Sequence, residues 1–308
     1  MKKTAFVVFM SLMFVSGISN PLLSADYAAM IMNMQNGTAT YGNGPLEDMP
    51  VEIGGFLNDS DEIKIPDGAS LVLTYFATSK REEIKGPARI VITPTQSKAL
   101  GADSGQIKQE EIAYIPPKSN IKDIHARTFG NIAFRGVSSS QKPKSALSVL
   151  NLLNTTVITG TPVVLRWRKM PAAKKYVAKL FDGNNKLLQK TPTKKNNITF
   201  KHKELKPGAA YHWTLEAMKG EKPLDKAIGK FNFLSTAETN TLKTVRKNIQ
   251  KRFKKNSVEG LLSLNLLYQG HGLHDNAVTV LLKLHKMHPQ NSVVINQLNN
   301  LNPAILDN

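Results

Sequence analysis

The sequence predicts a protein that is mainly β, with an α-helical C-terminus. Three observations indicate this. Short apolar runs broken by Gly, Pro, Asp and Asn fill the first part of the chain, a second series of such runs ends near residue 236, and helical periodicity begins only after that point. We therefore expect a β domain, then a β-sandwich, then a helical hairpin of repeat type.

The N-terminal stretch predicts export. Lys2 and Lys3 precede an almost uninterrupted apolar run from Ala5 to Ile18, and small residues follow as far as Ala25. This order is typical of a secretory signal peptide, and the run is shorter than the roughly 20 residues that a membrane-spanning helix needs. We assign residues 1–25 to a signal peptide, with an uncleaved anchor helix as the alternative.

Cleavage after Ala25 is the first choice of position, although Leu23 is large for a residue near the cut, and cleavage near Gly17 or Ser19 is the alternative. The sequence contains no cysteine, which excludes disulfides, thiolate metal sites, a cysteine nucleophile and a lipid anchor at the cleavage site. We expect a periplasmic or secreted mature chain without a transmembrane segment.

Charge is unevenly distributed along the chain. Residues 1–120 contain 10 Lys and Arg against 13 Asp and Glu, whereas residues 121–308 contain 31 against 10. A basic C-terminal part suits an anionic partner. The alternative is that scattered lysines merely solvate the surface.

The first β domain is predicted over residues 26–136. Ile63 and Ile65 alternate with polar residues, Asp67-Gly68 is a turn dipeptide, and a strand-length apolar run follows over 71–76. A polar, proline-bearing linker is expected over 137–156.

Part of this domain resembles a FecR-type domain. The resemblance covers about residues 46–93 and rests on Val51-Glu52-Ile53-Gly54-Gly55-Phe56-Leu57, Asp61-Glu62-Ile63, Pro66-Asp67-Gly68-Ala69-Ser70-Leu71-Val72-Leu73 and Gly86-Pro87-Ala88-Arg89-Ile90. Most of these positions are glycines at turns or alternating apolar residues, which implies a structural role. The namesake iron-uptake regulator relays a signal through a cytoplasmic helix and a membrane span. Because neither is recognised here, the resemblance does not imply a transmembrane relay.

Residues 157–236 are predicted to form the β-sandwich. Leu205-Lys206-Pro207-Gly208-Ala209-Ala210-Tyr211-His212-Trp213 is similar to a run found in fibronectin type III and immunoglobulin-like sandwiches, which implies that Tyr211 bonds back to the backbone at a strand corner. We expect Trp167 and Tyr211 to pack in the core. Trp213 is the residue we expect to contact a ligand, such as a sugar, if the sandwich has an aromatic platform.

Residues 237–308 are predicted to be helical. Leu242, Val245, Ile249 and Phe253 recur at spacings of three and four, as on one helix face. The stretch from about 258 to 291 resembles one tetratricopeptide repeat, on Leu264, Tyr268, Gly272, Ala277 and Pro289, although Asn265 departs from the family's small residue. One repeat cannot bury its own face, so we expect the preceding helix and residues 292–305, or another chain, to cover it.

A basic surface is predicted beside this apolar stripe. Its candidate contact residues for a partner or an anionic surface are Arg246, Lys247, Lys251, Arg252, Lys254 and Lys255. The stripe either packs on the repeat or inserts at a lipid interface, and we favour packing.

Catalytic and metal-binding patterns are weak. Gly101–Gly105 places Ser104 wrongly for a nucleophile elbow. His274 and His288 lie about 21 Å apart on a helix, because each residue adds about 1.5 Å, so the set His271, His274, His285 and His288 cannot share one ion. Glu82-Glu83 and Glu110-Glu111 would point to opposite sides of a strand and are interpreted as surface charges.

From the sequence we expect no catalytic, cofactor or metal site. The leading hypothesis is a non-enzymatic adaptor or assembly protein of the bacterial cell envelope with a protein partner. The alternatives are a binder of peptidoglycan or another glycan and, by analogy with FecR, a regulator of an envelope signalling system. Contact with an anionic lipid surface stays open, and nucleic acid is not expected.

Overall fold

The computed structural model describes residues 27–111, 147–201 and 205–306. The expected signal peptide, the end of the first β domain and the first part of the expected linker lie outside these residues.

The first β unit is a curled antiparallel sheet of seven strands. In sheet order the strands run β2–β4–β6–β5–β1–β3, and β7 pairs with β6. The strands are β1 (Ala29–Gln35), β2 (Thr40–Tyr41), β3 (Phe56–Leu57), β4 (Glu62–Ile65), β5 (Ser70–Tyr75), β6 (Lys80–Ile92) and β7 (Ser97–Glu111).

Alternation of side chains builds the inner core of this sheet. Ile63 and Ile65 of β4 are buried while their polar neighbours are half-exposed, as the sequence pattern predicts. Gly68 has a φ of 72° in the turn between β4 and β5, where a glycine is readily accommodated. At Gly86, a Cβ atom would lie 2.0 Å from the carbonyl oxygen of Pro66, so the two backbones can approach only because residue 86 is glycine.

The second β unit is a sandwich of two sheets. One sheet has the order β11–β10–β13–β14–β8 and the other pairs β12 with β9. The strands are β8 (Thr155–Val157), β9 (Val163–Arg166), β10 (Lys175–Asp182), β11 (Leu187–Thr193), β12 (Asn197–Phe200), β13 (Ala210–Lys219) and β14 (Lys222–Phe233).

The sandwich has a fibronectin type III- or immunoglobulin-like arrangement. The first segment of the sandwich forms an isolated antiparallel bridge between Val149 and Trp167, next to the sheet of β9 and β12. The segment then continues as β8, which pairs in parallel with β14 of the five-stranded sheet. Aromatic and aliphatic side chains from both sheets fill one core. The hydroxyl of Tyr211 accepts a hydrogen bond from the backbone N–H of Lys206 at 2.7 Å. This is the bond back to the backbone that the resemblance implies.

Four helices complete the described chain, which confirms a mainly β protein with a helical C-terminus. They are α1 (Thr236–Arg252), α2 (Val258–Gly270), α3 (His274–Met287) and α4 (Ser292–Leu301). Helix α1 begins with a capping box in which Ser235 accepts from the N–H of Glu238, and the Glu238 carboxylate accepts from the N–H of Ser235. Ser257 and Asn291 cap α2 and α4.

The helices share a hydrophobic core with the first β unit. Met30, Phe56, Val72 and Phe76 of that unit belong to the same buried cluster as the inner faces of all four helices. Phe56 also stacks on Phe76, with 5.8 Å between ring centroids. The cover expected from the preceding helix and the last segment is therefore present, and the first sheet adds cover that the sequence did not predict.

Polar contacts also join the helices to the sandwich. The N–H of Thr156 donates to the carbonyl oxygen of Gly272 at 2.8 Å, and the Arg168 guanidinium donates to the carbonyl oxygen of Ala304 at 2.7 Å. The Asp275 carboxylate, in the first turn of α3, accepts from the N–H of Leu152 at 3.1 Å. The helical part thus contacts both β units.

Candidate functional site: a basic groove between the helices

The apolar stripe of α1 packs against the protein core. Leu242 and Ile249 are buried, and Val245 and Phe253 pack half-buried against the same cluster. The stripe is therefore not available to insert into a lipid interface. The helix itself ends at Arg252, because Phe253 takes an extended conformation. Lys254 and Lys255 therefore lie in the turn between α1 and α2.

The structure divides the six predicted basic residues into distinct groups, although all six are exposed. Arg246, Lys254 and Lys255 line a groove between α1, α2 and α3. Arg252 points elsewhere and pairs with Glu110 of β7 at 3.3 Å. The remaining two, Lys247 and Lys251, are exposed and do not line the groove.

We call this cavity the basic groove. It has a volume of about 530 Å³. Its apolar floor comes from Ile249, Phe253, Leu261, Leu264, Tyr268 and Val280, and its polar lining from Arg246, Gln250, Lys254, Lys255, Asn256, Asn276, Thr279 and Lys283, with Gly260 completing the wall. Among the described residues, Asp, Glu, His, Ser and Cys do not occur in this lining. Cationic and apolar groups therefore face the same space.

Lys283 of α3 is a groove residue that sequence reasoning missed. It lies 28 positions or more from the other cations, and only the packing of α3 beside α2 brings it to the same groove. Its amino group lies 3.5 Å from Oδ1 of Asn256, which is at the outer limit of a hydrogen bond. Within the described residues, none of the four groove cations forms an ion pair. The groove thus presents uncompensated positive charge.

Trp213 is not available as an aromatic contact. Its side chain is fully buried, its Nε1 donates to the carbonyl oxygen of Leu152 at 2.9 Å, and its ring lies directly over Gly229. The strand alternation of β13 directs residue 213 inward together with Tyr211 and Leu215. Trp167 and Tyr176 are equally buried, so these aromatics form core and no sugar platform.

The prediction that Glu82 and Glu83 are surface charges was wrong for Glu82. Its side chain is fully buried, and it accepts hydrogen bonds from the N–H of Ser97 at 2.9 Å and from Nε2 of Gln109 at 2.7 Å. The Ser97 hydroxyl in turn lies 2.7 Å from that of Tyr75, whose pKa is raised by burial. The adjacent Glu83 contacts Arg81 instead. This network fixes the pairing of β6 and β7 and does not open into the basic groove.

Metal-ligating side chains do not gather within the described part of the chain, where no group of three or more His, Cys, Asp or Glu residues is close enough to hold an ion. Burial lowers the pKa of His271. Over the same residues, no helix combines the length and the apolar character needed to cross a membrane.

Comparison with known proteins finds only distant structural similarities. No protein-family model and no curated protein matches the chain. Among solved structures, a fibronectin type III protein, FN3tt, matches with 18% identity and a TM-score of 0.23, over 29% of this chain and 89% of that one. The fn3 domain of human collagen alpha-1(XX) matches with 15% identity and a TM-score of 0.25, over 32% and 95%.

A β-glucuronidase of Ruminococcus gnavus also matches, with 12% identity and a TM-score of 0.22, over 67% of this chain and 45% of that one. At such TM-scores these similarities support no conclusion about this chain. The sandwich is recognised from its own strand order and from the Tyr211 hydrogen bond.

Proposed function

We propose that this chain is an exported, non-enzymatic adaptor or assembly protein of the bacterial cell envelope that binds a protein partner through the basic groove. The single observation that carries the proposal is the meeting, in one cavity, of an apolar floor and four exposed cations that form no ion pair with any described residue. A recess that combines apolar surface with a few polar groups is the usual form of a binding site.

Binding is favoured over catalysis by the groove's own chemistry. Among the described residues, its lining contains no carboxylate, histidine or serine, which are the groups most often used as catalytic acid, base or nucleophile. The buried carboxylates elsewhere, such as Glu82, are occupied by hydrogen bonds within the protein. Export is part of the proposal because of the N-terminal sequence, and the expected location is the periplasm or the medium.

The finer family resemblances belong to this proposal as well. We propose a FecR-like first β unit, supported by the left-handed backbone of Gly68 at the matched turn. We propose a tetratricopeptide-like α2–α3 pair, supported by the left-handed Gly272 between the helices and the fully buried Ala277. In that arrangement the repeat-like pair supplies one wall and much of the floor of the groove.

Glycan binding is the weaker candidate. It rests on basic and aromatic residues of the sandwich, and the aromatic residues Trp167, Tyr176, Tyr211 and Trp213 all lie in the core.

Affinity capture from envelope extract tests the proposal. Deleting residues 237–308 is unsuitable, because it would expose the face of the first sheet that contains Met30 and Phe76. We suggest the full chain with Arg246→Glu, Lys254→Glu and Lys255→Glu, compared with a control that carries the same charge change at exposed positions outside the groove: Lys243→Glu, Lys247→Glu and Lys251→Glu.

We expect the groove variant to lose a partner protein that the wild type and the control both retain. Identical sets of captured proteins for all three chains would refute the proposal. Circular dichroism and thermal melting establish that each variant is folded.

A further inference from the structure

We infer that the basic groove recognises an acidic protein segment that carries a bulky apolar side chain. This inference rests on the proposed function and adds the chemistry of the ligand. It follows from three features of the groove: the origin of its charges, the nature of its floor and its recessed shape.

The charges come from separate elements and converge. Arg246 lies on α1, Lys254 and Lys255 lie in the turn before α2, and Lys283 lies on α3. Two arginines outside the groove have acidic partners: Arg252 pairs with Glu110, and Arg81 pairs with Glu259. The groove cations have none among the described residues. Like charges held close together repel, so a ligand that brings carboxylates relieves this repulsion and is attracted from a distance.

The apolar floor of the groove indicates a ligand that has apolar groups as well as negative charge. Ile249, Leu261 and Val280 are buried beneath it, and Phe253 and Leu264 are only half-buried, so apolar surface faces the cavity. Covering such surface stabilises a complex by about 25 cal/mol for each Å² removed from water. A free phosphate or a sugar acid would leave it uncovered, whereas a Leu or Phe side chain would fill it. The volume of about 530 Å³ is within the range of sites that enclose a small ligand, about 300–1,000 Å³.

The shape and the net charge disfavour two other occupants. A lipid surface is reached by a helix that exposes its apolar face, and the apolar face of α1 is in the core. A second copy of this chain is strongly basic as a whole, with a net charge of +18 over the full sequence, and this charge opposes self-association. A short acidic segment of a different protein meets neither obstacle.

Fluorescence anisotropy with defined peptides tests the inference on the full chain. The probes are a labelled peptide of glutamates with a central Phe and Leu, the same peptide with Ser at both apolar positions, and a lysine counterpart of the first. All are measured at physiological salt, where bulk charge effects are reduced. Vesicles of anionic phosphatidylglycerol serve as the lipid comparison.

We expect the acidic peptide with Phe and Leu to bind at least about tenfold more tightly than its Ser counterpart, a difference of about 1.4 kcal/mol. Arg246→Glu, Lys254→Glu and Lys283→Glu together should abolish this binding. Leu264→Ala should weaken the binding of only the peptide that carries Phe and Leu, because it removes apolar surface from the groove without removing charge. The control Lys243→Glu, Lys247→Glu and Lys251→Glu should leave the affinity within about twofold of the wild type.

Equal affinity for the two acidic peptides, equal loss in the control variant, or preferential binding to the vesicles would each overturn the inference. The proposed function is judged separately. The two acidic peptides could bind equally well while the variant with Arg246→Glu, Lys254→Glu and Lys255→Glu still loses its partner from envelope extract. In that case the adaptor proposal holds and only the ligand chemistry is wrong. If the captured proteins are also unchanged, both are wrong.

Discussion

Nε of Arg81 lies 2.8 Å from Oε2 of Glu259, so that a strand of the first β unit is joined to the first turn of α2, 178 residues later in the chain. Both side chains are mostly buried, with 11% and 15% of their surface exposed. Arg81 also contacts Glu83, and the nearby Glu110 receives Arg252 of α1. Together these residues form an ionic contact between the first sheet and the helices.

Glu259→Gln should lower the free energy of unfolding by about 2 kcal/mol, because it removes the charge that compensates a partly buried guanidinium. Urea denaturation measures the change. Glu47→Gln is the control, since Glu47 pairs with Lys64 at the surface and such pairs contribute about 0–1 kcal/mol. Equal effects of the two substitutions would show that the contact between sheet and helices contributes little.

Asp275 should make stability depend on pH. Burial raises its pKa from 3.8 to about 6, against the opposing effects of the Leu152 N–H and of Arg166. The folded protein therefore binds more protons than the unfolded chain between about pH 4 and pH 6, and this residue's contribution to stability falls as the pH rises through that window.

Asp275→Asn retains an oxygen that can accept from Leu152 and cannot titrate. We expect the variant to be more stable than the wild type at pH 7 by up to about 3 kcal/mol, and the difference to vanish near pH 4. Thermal melting of both proteins across this range is the measurement. A difference that stays constant with pH would contradict the prediction.

Gly229→Ala should destabilise the sandwich by about 1–3 kcal/mol, because overpacking a core forces its neighbours to move. The new Cβ atom would lie 2.3 Å from Cζ2 of Trp213. Gly183→Ala is the matched control, since its nearest contact, the carbonyl oxygen of Ala210, is 3.6 Å away. Chemical denaturation followed by tryptophan fluorescence should show a lower midpoint only for the first variant.

Tyr211→Phe should lower the free energy of unfolding by about 1 kcal/mol, the usual contribution of one hydrogen bond. The donor is the backbone N–H of Lys206, so Lys206→Ala should preserve the bond and change stability little. If the two substitutions have the same effect on the free energy of unfolding, the hydroxyl does not stabilise this corner.

Local patterns were sufficient for the fold class and for several interior positions. The alternation Tyr211, Trp213, Leu215 places all three on one face of a strand, and the structure buries them together. The same alternation would have indicated that Trp213 belongs to the core, so its interpretation as a contact residue went against a signal that was present in the sequence.

Features that depend on distant partners were beyond prediction. The burial of Glu82 requires Ser97 and Gln109, which reach it only when β6 and β7 pair. The groove requires α3 beside α2 before Lys283 joins the other cations. The sequence did contain a weak local signal that the first sheet packs against other elements: residues 29–32 of β1 are apolar at every position, as expected of a strand buried on both faces.

The core shared by Met30 and the C-terminal helices also has a consequence for biosynthesis. The ribosome synthesises the first sheet long before the helices that cover the face containing Met30. This apolar face therefore stays exposed until almost the whole chain has been made. A chain that stalls or is cut before residue 236 would keep that surface in water, where it can be recognised by chaperones and proteases. The apolar face of the first sheet is therefore protected from chaperones and proteases only after the C-terminal helices have packed on it.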